Sequence, residues 1–151
     1  MTASEYILLA VVLVIVLSVI AWGVLRTTST MSETDKIVRG CWSGKEPNRA
    51  NELKEVGLLL WSGGNYTIVS DGFNAPIIER GKYATSAGNN GLVILGLEPD
   101  KLGRDIAQYP QFGSSRSLSV TAETLNGVRT LRFDGGTPYV NTSCEPYAPQ
   151  V

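Results

Sequence analysis

Histidine is absent from this chain of 151 residues. Without an imidazole side chain, a protein lacks the commonest general base, the commonest metal ligand and every Ser-His-Asp or Cys-His nucleophile arrangement. The segments Asp71–Asn74 and Asp134–Gly136 carry only part of the ligand series of a calcium loop, and Asp-Gly is first of all a turn dipeptide. A Walker-type phosphate loop is also missing from the sequence. We therefore predict that the protein is not an enzyme and that it has no metal site and no cofactor.

Neither sign of charge is in excess. Lys and Arg together number 13, Asp and Glu number 14, and the formal net charge is -1. Domains that bind nucleic acids typically carry a basic excess. We therefore expect no nucleic-acid partner.

Cysteine is scarce, with only Cys41 and Cys144 in the chain. Two thiols cannot form a structural zinc site without further ligands, which a chain without histidine can hardly supply. We predict a disulfide, because the two residues bracket a whole domain, and closing a loop of about 100 residues would stabilise the fold by about 4 to 5 kcal/mol. The alternative is a pair of buried free thiols in a cytoplasmic domain.

Charged residues are missing from the segment between Tyr6 and Leu25, where only Ser18 is clearly polar and proline does not occur. About 20 residues at about 1.5 Å each would span a hydrocarbon core of about 30 Å. Val and Ile dominate the run and would suit a strand in water. In lipid, however, every backbone group must be bonded within the segment, so the run predicts a transmembrane helix.

Glu5 lies at the edge of this apolar run, where an ionised carboxylate is costly to desolvate. In one interpretation Thr2–Glu5 is a capping box, in which the Thr2 hydroxyl and the Glu5 carboxylate bond unpaired amides and the charge suits the helix dipole. In the other, Glu5 lies in a bundle of identical helices and is neutralised by the amino terminus of a neighbouring copy. The spacing alone leaves both open.

Basic residues follow the apolar run, at Arg26, Lys36 and Arg39, but none precedes it. Taken alone, the positive-inside rule would leave the large domain in the cytoplasm. A cleaved basic leader would reverse this, because it would hold the amino end inside during insertion. We therefore expect that Met1 is the first residue of a processed chain and that the large domain is exported.

The segment Thr2–Tyr6 and the apolar residues after it resemble the start of mature type IV pilins. The Glu-Tyr pair at positions 5 and 6 is most similar to the tight-adherence (Tad, Flp-type) branch, whose typical members are little more than this helix. The resemblance covers residues 1–25 and implies that a prepilin peptidase removes a leader. It also implies that Met1, Glu5 and Tyr6 act in subunit assembly, with Glu5 pairing with the terminal amine of an adjacent subunit.

The segment 27–39 is polar and contains neither Gly nor Pro, so it would either prolong the helix or form a solvated stalk. Gly40 is suited to a left-handed cap that would end it. We therefore divide the chain into residues 1–39, a transmembrane and filament-core helix with its stalk, and residues 40–151, a disulfide-closed β-domain.

From Cys41 onward, short alternating or apolar runs are separated by Gly, Asn, Asp and Pro, as is typical of antiparallel strands. We therefore predict an α+β fold class, in which a long N-terminal hydrophobic helix precedes an all-β antiparallel barrel or sandwich. The turns at 62–65, 88–91 and 126–127 favour tight hairpins. The candidate strands are Glu52–Ser62, Tyr66–Asp71, Gly81–Ser86, Leu92–Leu97, Leu118–Glu123, Val128–Phe133 and Tyr139–Cys144.

The longest irregular stretch is Pro99–Arg116, which would begin with a short helix at Pro99. We interpret it as a crossover that packs Tyr109 and Phe112 on the barrel or sandwich, in preference to a binding loop. Four further aromatic residues are expected in the core rather than in ligand stacking. They are Trp42, Trp61, Tyr66 and Tyr83.

Two triplets match the acceptor pattern for N-glycosylation, Asn65–Thr67 and Asn141–Ser143. Asn65 and Asn141 are therefore candidate modification sites.

The function favoured by these observations is that of a structural pilin subunit in an extracellular type IV-like pilus, with the β-domain on the filament surface. Its partners would be other copies of itself, the inner membrane before assembly, the prepilin peptidase and the pilus assembly machinery. One alternative is a membrane-anchored, lipocalin-like binding module, since the order of Gly40–Gly44, a strand, a Gly-rich turn and Asn65–Thr67 resembles small lipocalin-like barrels. The other is a minor pilin or pseudopilin.

Overall fold

The computed structural model describes residues 2–27, 32–61, 63–70 and 77–144, with side chains described for 2–20 of the first range. Contacts within the chain divide it into two units, Met1–Met31 and Ser32–Val151. The first contains an apolar helix and the second an antiparallel β-barrel. The predicted α+β class is confirmed, and of the two predicted β architectures the barrel is the one observed.

Helix α1 spans Ala3–Thr27. Its stretch Ala3–Ile20 is long and apolar enough to cross a membrane by length and composition. The described apolar side chains of α1 are exposed on all sides of the helix. Ser18, the polar residue within the run, donates a hydrogen bond from its hydroxyl to the Val14 carbonyl at 2.8 Å. This hydroxyl therefore has a partner within the helix. An apolar surface on every face is typical of a helix covered by lipid or by other protein.

Eight strands follow within the described part of the second unit, each antiparallel to the next. β8 pairs with β1, which closes the barrel. Closure removes the two free edge strands that an open sheet would have. The strands are β1 (Gly40–Pro47), β2 (Leu53–Leu60), β3 (Asn65–Ser70), β4 (Ile77–Ala87), β5 (Val93–Leu102), β6 (Arg116–Leu125), β7 (Val128–Phe133) and β8 (Pro138–Thr142).

Strand β1 was not among the predicted strands, because its Gly, Lys and Pro residues weaken the expected pattern. Gly44 is required there: a Cβ atom would lie 2.7 Å from the ring of Tyr139 on β8. The positive φ predicted for Gly40 is observed, but this residue is not the cap of the helix. The preceding helix ends at Val38, Arg39 is extended, and Gly40 opens β1 with a φ of +137°.

The glycine-containing hairpins predicted from the sequence are present. Asn126 and Gly127 have φ values of 52° and 78° and connect Leu125 directly to Val128, as expected for an Asn-Gly hairpin turn. Gly63 and Gly64 in the β2–β3 turn also have positive φ values. Local turn chemistry therefore specifies how neighbouring strands join.

Residues 32–39, assigned to the stalk from the sequence, contact the barrel in the structure. Helix α2, Glu33–Val38, lies across the end of the barrel where β1 begins. Val38 is fully buried, and its carbonyl accepts a hydrogen bond of 2.8 Å from Trp42 Nε1. Arg129 donates to the Ile37 carbonyl at 2.8 Å. The two apolar residues at the end of α2 therefore close the core at this end.

Tyr83 links α2 to the barrel wall. Its hydroxyl donates to Asp35 Oδ1 at 2.6 Å and lies 3.0 Å from the Trp61 carbonyl oxygen. Burial, together with the hydrogen bond to Asp35 and the charge of that carboxylate, raises the pKa of Tyr83 to about 12. The neutral phenol is therefore part of the folded state.

We expect the free energy of unfolding to fall as the pH rises from about 10 to about 12. In the unfolded chain the Tyr83 phenol ionises near its ordinary pKa of 10.0, whereas in the folded protein it keeps its proton to about pH 12. The stabilisation that Tyr83 provides is therefore complete below pH 10 and is lost as the pH rises to about 12. Urea unfolding measured across this range checks the slope of stability against pH. Tyr83→Phe should make that slope shallower, and an identical slope in both proteins would contradict this role.

The opposite end of the barrel is covered by residues 103–115, which we call the closing loop. Tyr109 is buried and Phe112 packs against the core, so the predicted packing of these two rings is confirmed. The prediction of a crossover is wrong, because the segment joins β5 to its antiparallel neighbour β6. The prediction of a helix that begins at Pro99 is wrong, because β5 continues to Leu102 and a 3-10 helix occupies Arg104–Gln108.

The closing loop is tied to the barrel rim at separate points. Gln111 Nε2 donates to the Pro47 carbonyl at the end of β1, at 2.9 Å. Ser70 at the end of β3 donates its hydroxyl to Asp105, also at 2.9 Å. The loop therefore bridges strands that are not neighbours in the sheet.

Candidate functional site

The amino end of α1 carries the carboxylate half of the predicted capping box. Glu5 Oε2 accepts from the Thr2 amide at 2.7 Å, and the Glu5 amide donates to the Thr2 carbonyl at 3.0 Å. The Thr2 hydroxyl lies 2.9 Å from Ser4 Oγ. Tyr6, the third predicted assembly residue, is exposed, and Met1 lies outside the described residues. The contact between Glu5 and Thr2 within one chain is therefore present, and the intersubunit role of Glu5 stays a prediction.

The predicted disulfide is present and joins Cys41 on β1 to Cys144, after β8. Cys41 is buried and packs with Leu59 and Val69 on the outside of the sheet. Disulfides are typical of extracellular compartments. An apolar helix near the amino end is typical of membrane insertion or of a signal sequence. Together they indicate an exported barrel.

The two candidate glycosylation residues differ in accessibility. Asn65, at the start of β3, is exposed, and its Oδ1 accepts from Lys82. Asn141 is partly buried, and its Nδ2, the atom that would carry a glycan, donates to the Cys41 carbonyl at 3.2 Å. Asn65 is therefore the better placed acceptor, and both assignments stay predictions. The fragment Asp71–Asn74 lies outside the described residues.

The interior of the barrel holds three of the four predicted core aromatics, Trp42, Tyr66 and Tyr83. Trp61 is partly buried and packs on the outer cluster around Cys41 instead. The interior is mostly apolar, with Leu58, Leu95, Leu97, Val120 and Leu131 among its members.

A charged group lies within this apolar interior. Glu79 on β4 is fully buried and accepts hydrogen bonds from Tyr66 OH at 2.9 Å, from Arg116 and from the amide of Gly113. Burial and then the charge of Glu79 raise the pKa of Tyr66, which keeps this phenol a donor. Because Gly113 lies in the closing loop, the network holds that loop onto the barrel.

Sequence reasoning did not single out Glu79 or Arg116. One signal was available: Glu79 follows Ile77 and Ile78 in a strand-like segment, where a charge on the inner face needs a partner. The partner lies 37 residues away and enters the same space only because β6 begins beside the loop.

A cavity of about 210 Å³ lies inside the barrel beneath the closing loop. Leu58, Ile68 and Leu97 form its apolar wall. Its polar lining includes Arg116 and Glu46, and the Glu46 carboxylate accepts from Tyr139 OH at 2.7 Å. This mostly apolar space, which is partly open to solvent and has few polar groups, is suited to binding a small molecule.

Among the residues that the structure describes, no group of three His, Cys, Asp or Glu side chains is placed to hold a metal ion. The two features with functional potential are therefore the exposed apolar helix with Glu5 and the cavity of the barrel. Comparison of the chain with protein-family models, with curated proteins and with solved structures gave no match in any of the three.

Proposed function

We propose that the protein is a structural pilin-like subunit, which polymerises through α1 into an extracellular type IV-like pilus and displays the barrel on the filament surface. The observation that carries the proposal is the exposed apolar helix beginning with a single carboxylate, on a chain whose barrel completes its own core. The partners are other copies of the chain, with the inner membrane, the prepilin peptidase and the assembly machinery acting before and during assembly.

The apolar surface of α1 is unfavourable in water and has to be buried against other molecules. From Ile7 to Ile20 its large apolar side chains are 49% to 70% exposed. Burying such a side chain completely stabilises by about 1.5 to 3 kcal/mol, so water is an unfavourable environment for the whole helix. Lipid covers it before assembly, and the same helix of other copies covers it in the filament.

Glu5 gives such a bundle a fixed register. A carboxylate left unpaired among apolar helices costs several kcal/mol, whereas the ammonium group of a neighbouring copy compensates its charge. A head-to-tail contact that does not close into a ring propagates as a helix. One charge pair per subunit therefore selects a single axial offset between neighbouring helices, whose Val and Ile surfaces alone would allow several.

The barrel is suited to display on the outside of a filament. Its eight described strands form a closed barrel, in which each strand pairs with a neighbour on both sides over part of its length. The Cys41–Cys144 disulfide joins the first strand to the residues after the last. Closure therefore disfavours edge-to-edge pairing between the barrels of subunits that pack through α1.

Glu5→Ala should leave the protein folded and inserted in the membrane but abolish or sharply reduce filaments. The reason is that the variant loses the charge that pairs with the neighbouring amine and sets the stagger. Electron microscopy of sheared surface fractions from cells making each variant measures filament number and regularity. Glu5→Asp should give an intermediate number, because its carboxylate is retained on a shorter side chain.

Ser4→Ala is the matched control, since it removes a hydroxyl from the same helical turn and keeps Glu5. If Glu5 acts only in its own chain by capping the helix, Glu5→Ala should cost about 0.5 to 2 kcal/mol of stability and filaments should assemble as usual. Normal numbers of regular filaments from Glu5→Ala would therefore defeat the intersubunit role.

A membrane-anchored binding module is the second candidate, and the cavity of about 210 Å³ is the observation that favours it. A minor pilin or pseudopilin would share the helix but would be scarce in sheared surface material. The abundance of the chain in that material separates these alternatives from a major filament subunit.

A further inference from the structure

The cavity beneath the closing loop has an excess of negative charge. Its charged lining residues are Glu46, Asp134 and Arg116. The Arg116 guanidinium is already neutralised by Glu79, a fully buried carboxylate behind the lining, and also donates to the Ser114 carbonyl at 2.9 Å. Two carboxylates therefore face the cavity against one compensated cation.

Neither lining carboxylate forms a salt bridge within the described part of the chain. Asp134 accepts from the amide and the hydroxyl of Ser119, at 2.8 and 2.9 Å, which holds it at the rim of β7. Among the described residues, Glu46 accepts from Tyr139 OH alone. Burial and then the charge of Glu46 raise the pKa of Tyr139 well above its usual range, so this neutral phenol donates to the carboxylate without neutralising it.

Aromatic rings surround the same space. Phe133 and Tyr139 meet edge to face with their centroids 5.1 Å apart, and Phe112 stacks under Arg116 at 5.3 Å. Phe112 shows that a ring of this cavity is already used to hold a cationic group. Aromatic faces attract organic cations, and a carboxylate beside them adds direct charge complementarity.

The volume of the cavity, which is partly open to solvent, limits the size of the part of a ligand that is buried in it. An apolar protein cavity of about 150 Å³ takes up benzene, so the observed 210 Å³ corresponds to a benzene ring with a short substituent. Leu58, Ile68 and Leu97 would contact the apolar part of such a molecule.

We propose that this cavity binds a small organic ammonium ion with an apolar body, with Glu46 as its anionic anchor. The inference depends on the barrel alone and is independent of filament assembly through Glu5. A filament subunit with this site would carry small amines on the outside of the cell, and an anchored module would hold them at the membrane.

Binding of 2-phenylethylammonium to the full chain in detergent micelles tests the proposal. The neutral 2-phenylethanol and the anionic phenylacetate serve as matched probes of similar shape. Chemical-shift changes of the Tyr139 and Phe133 ring protons report occupancy. We expect the ammonium to bind at least about tenfold more tightly than the alcohol, because a charge-assisted hydrogen bond contributes about 1.5 to 3 kcal/mol, and the anion to bind most weakly.

Glu46→Gln should reduce ammonium binding by about tenfold and alcohol binding by clearly less, because the amide oxygen still accepts hydrogen bonds but has no charge. Glu55→Gln is the matched control: Glu55 is exposed and accepts from the Ser43 hydroxyl at 2.9 Å, outside the cavity. Leu118→Trp fills the cavity and should prevent binding of both probes.

Equal affinity for the ammonium and the alcohol would overturn the proposal. So would preferential binding of phenylacetate, which would identify Arg116 as the anchor, or the absence of any binding. The comparison of probes on the unmodified chain decides these outcomes even if Glu46→Gln fails to fold.

Discussion

Replacing Glu79 with Ala should lower the free energy of unfolding by about 3 to 5 kcal/mol, because removing one partner of a buried ion pair leaves the other charge uncompensated. Glu79 is fully buried and the Arg116 side chain is 15% exposed. The substitution also removes the acceptor of Tyr66 OH and of the Gly113 amide. We therefore expect the part of the closing loop around Gly113 to lose its attachment to β4, while the Gly103 amide keeps its hydrogen bond to the Ile78 carbonyl.

Urea unfolding monitored by tryptophan fluorescence, to which the buried Trp42 contributes, measures this loss. Glu55→Ala, which removes an exposed carboxylate, should change stability by less than about 0.5 kcal/mol. A second comparison tests the mechanism: the double variant Glu79→Met and Arg116→Met should recover most of the loss, since apolar replacements of a buried pair are often neutral. If Glu79→Ala costs no more than Glu55→Ala, the network does not stabilise the fold.

Loss of the Cys41–Cys144 bond should cost about 4 to 5 kcal/mol by the chain-entropy relation for a long loop. The bond joins residues that are 103 positions apart. In this relation the stabilisation grows slowly with the length of the closed loop, so the expected loss lies near the upper end of the range. The double variant Cys41→Ala and Cys144→Ala should therefore unfold at a much lower urea concentration than the oxidised protein.

This experiment must distinguish two losses of stability, that of the buried contacts of the Cys41 side chain and that of the closed loop. Cys41 is 1% exposed and contacts Leu59 and Val69, so truncating it also removes buried contacts. Reduction of the unmodified chain breaks the bond but keeps both sulfur atoms. If the reduced chain is as stable as the oxidised one, the disulfide is not a stabilising element, whatever the alanine variant does.

Local patterns in the chain were sufficient for several features. The identity of α1 depends on the composition of one continuous segment, and the hairpin at Asn126–Gly127 depends on two residues that accept positive φ. The pairing of the cysteines followed from their number, since only two are present. Such features are predictable because the residues that cause them are adjacent or few.

The tertiary structure decided the features that depend on distant residues. Gly44 weakens the strand pattern of β1, yet the ring of Tyr139 requires a glycine there, and that fact becomes visible only when β8 pairs with β1. Closure of the sheet into a barrel likewise depends on this pairing of the first strand with the last.

The candidate sites show the same division between sequence and structure. Glu5 was identifiable from the sequence, because a carboxylate beside a long apolar run is unusual on local grounds. The neutralisation of Arg116 by Glu79 and the approach of Glu46 to Tyr139, 93 residues apart, follow only from the closed barrel and the loop that covers it. A periodic pattern specifies which face of a strand is buried, but register and closure determine which side chains meet inside.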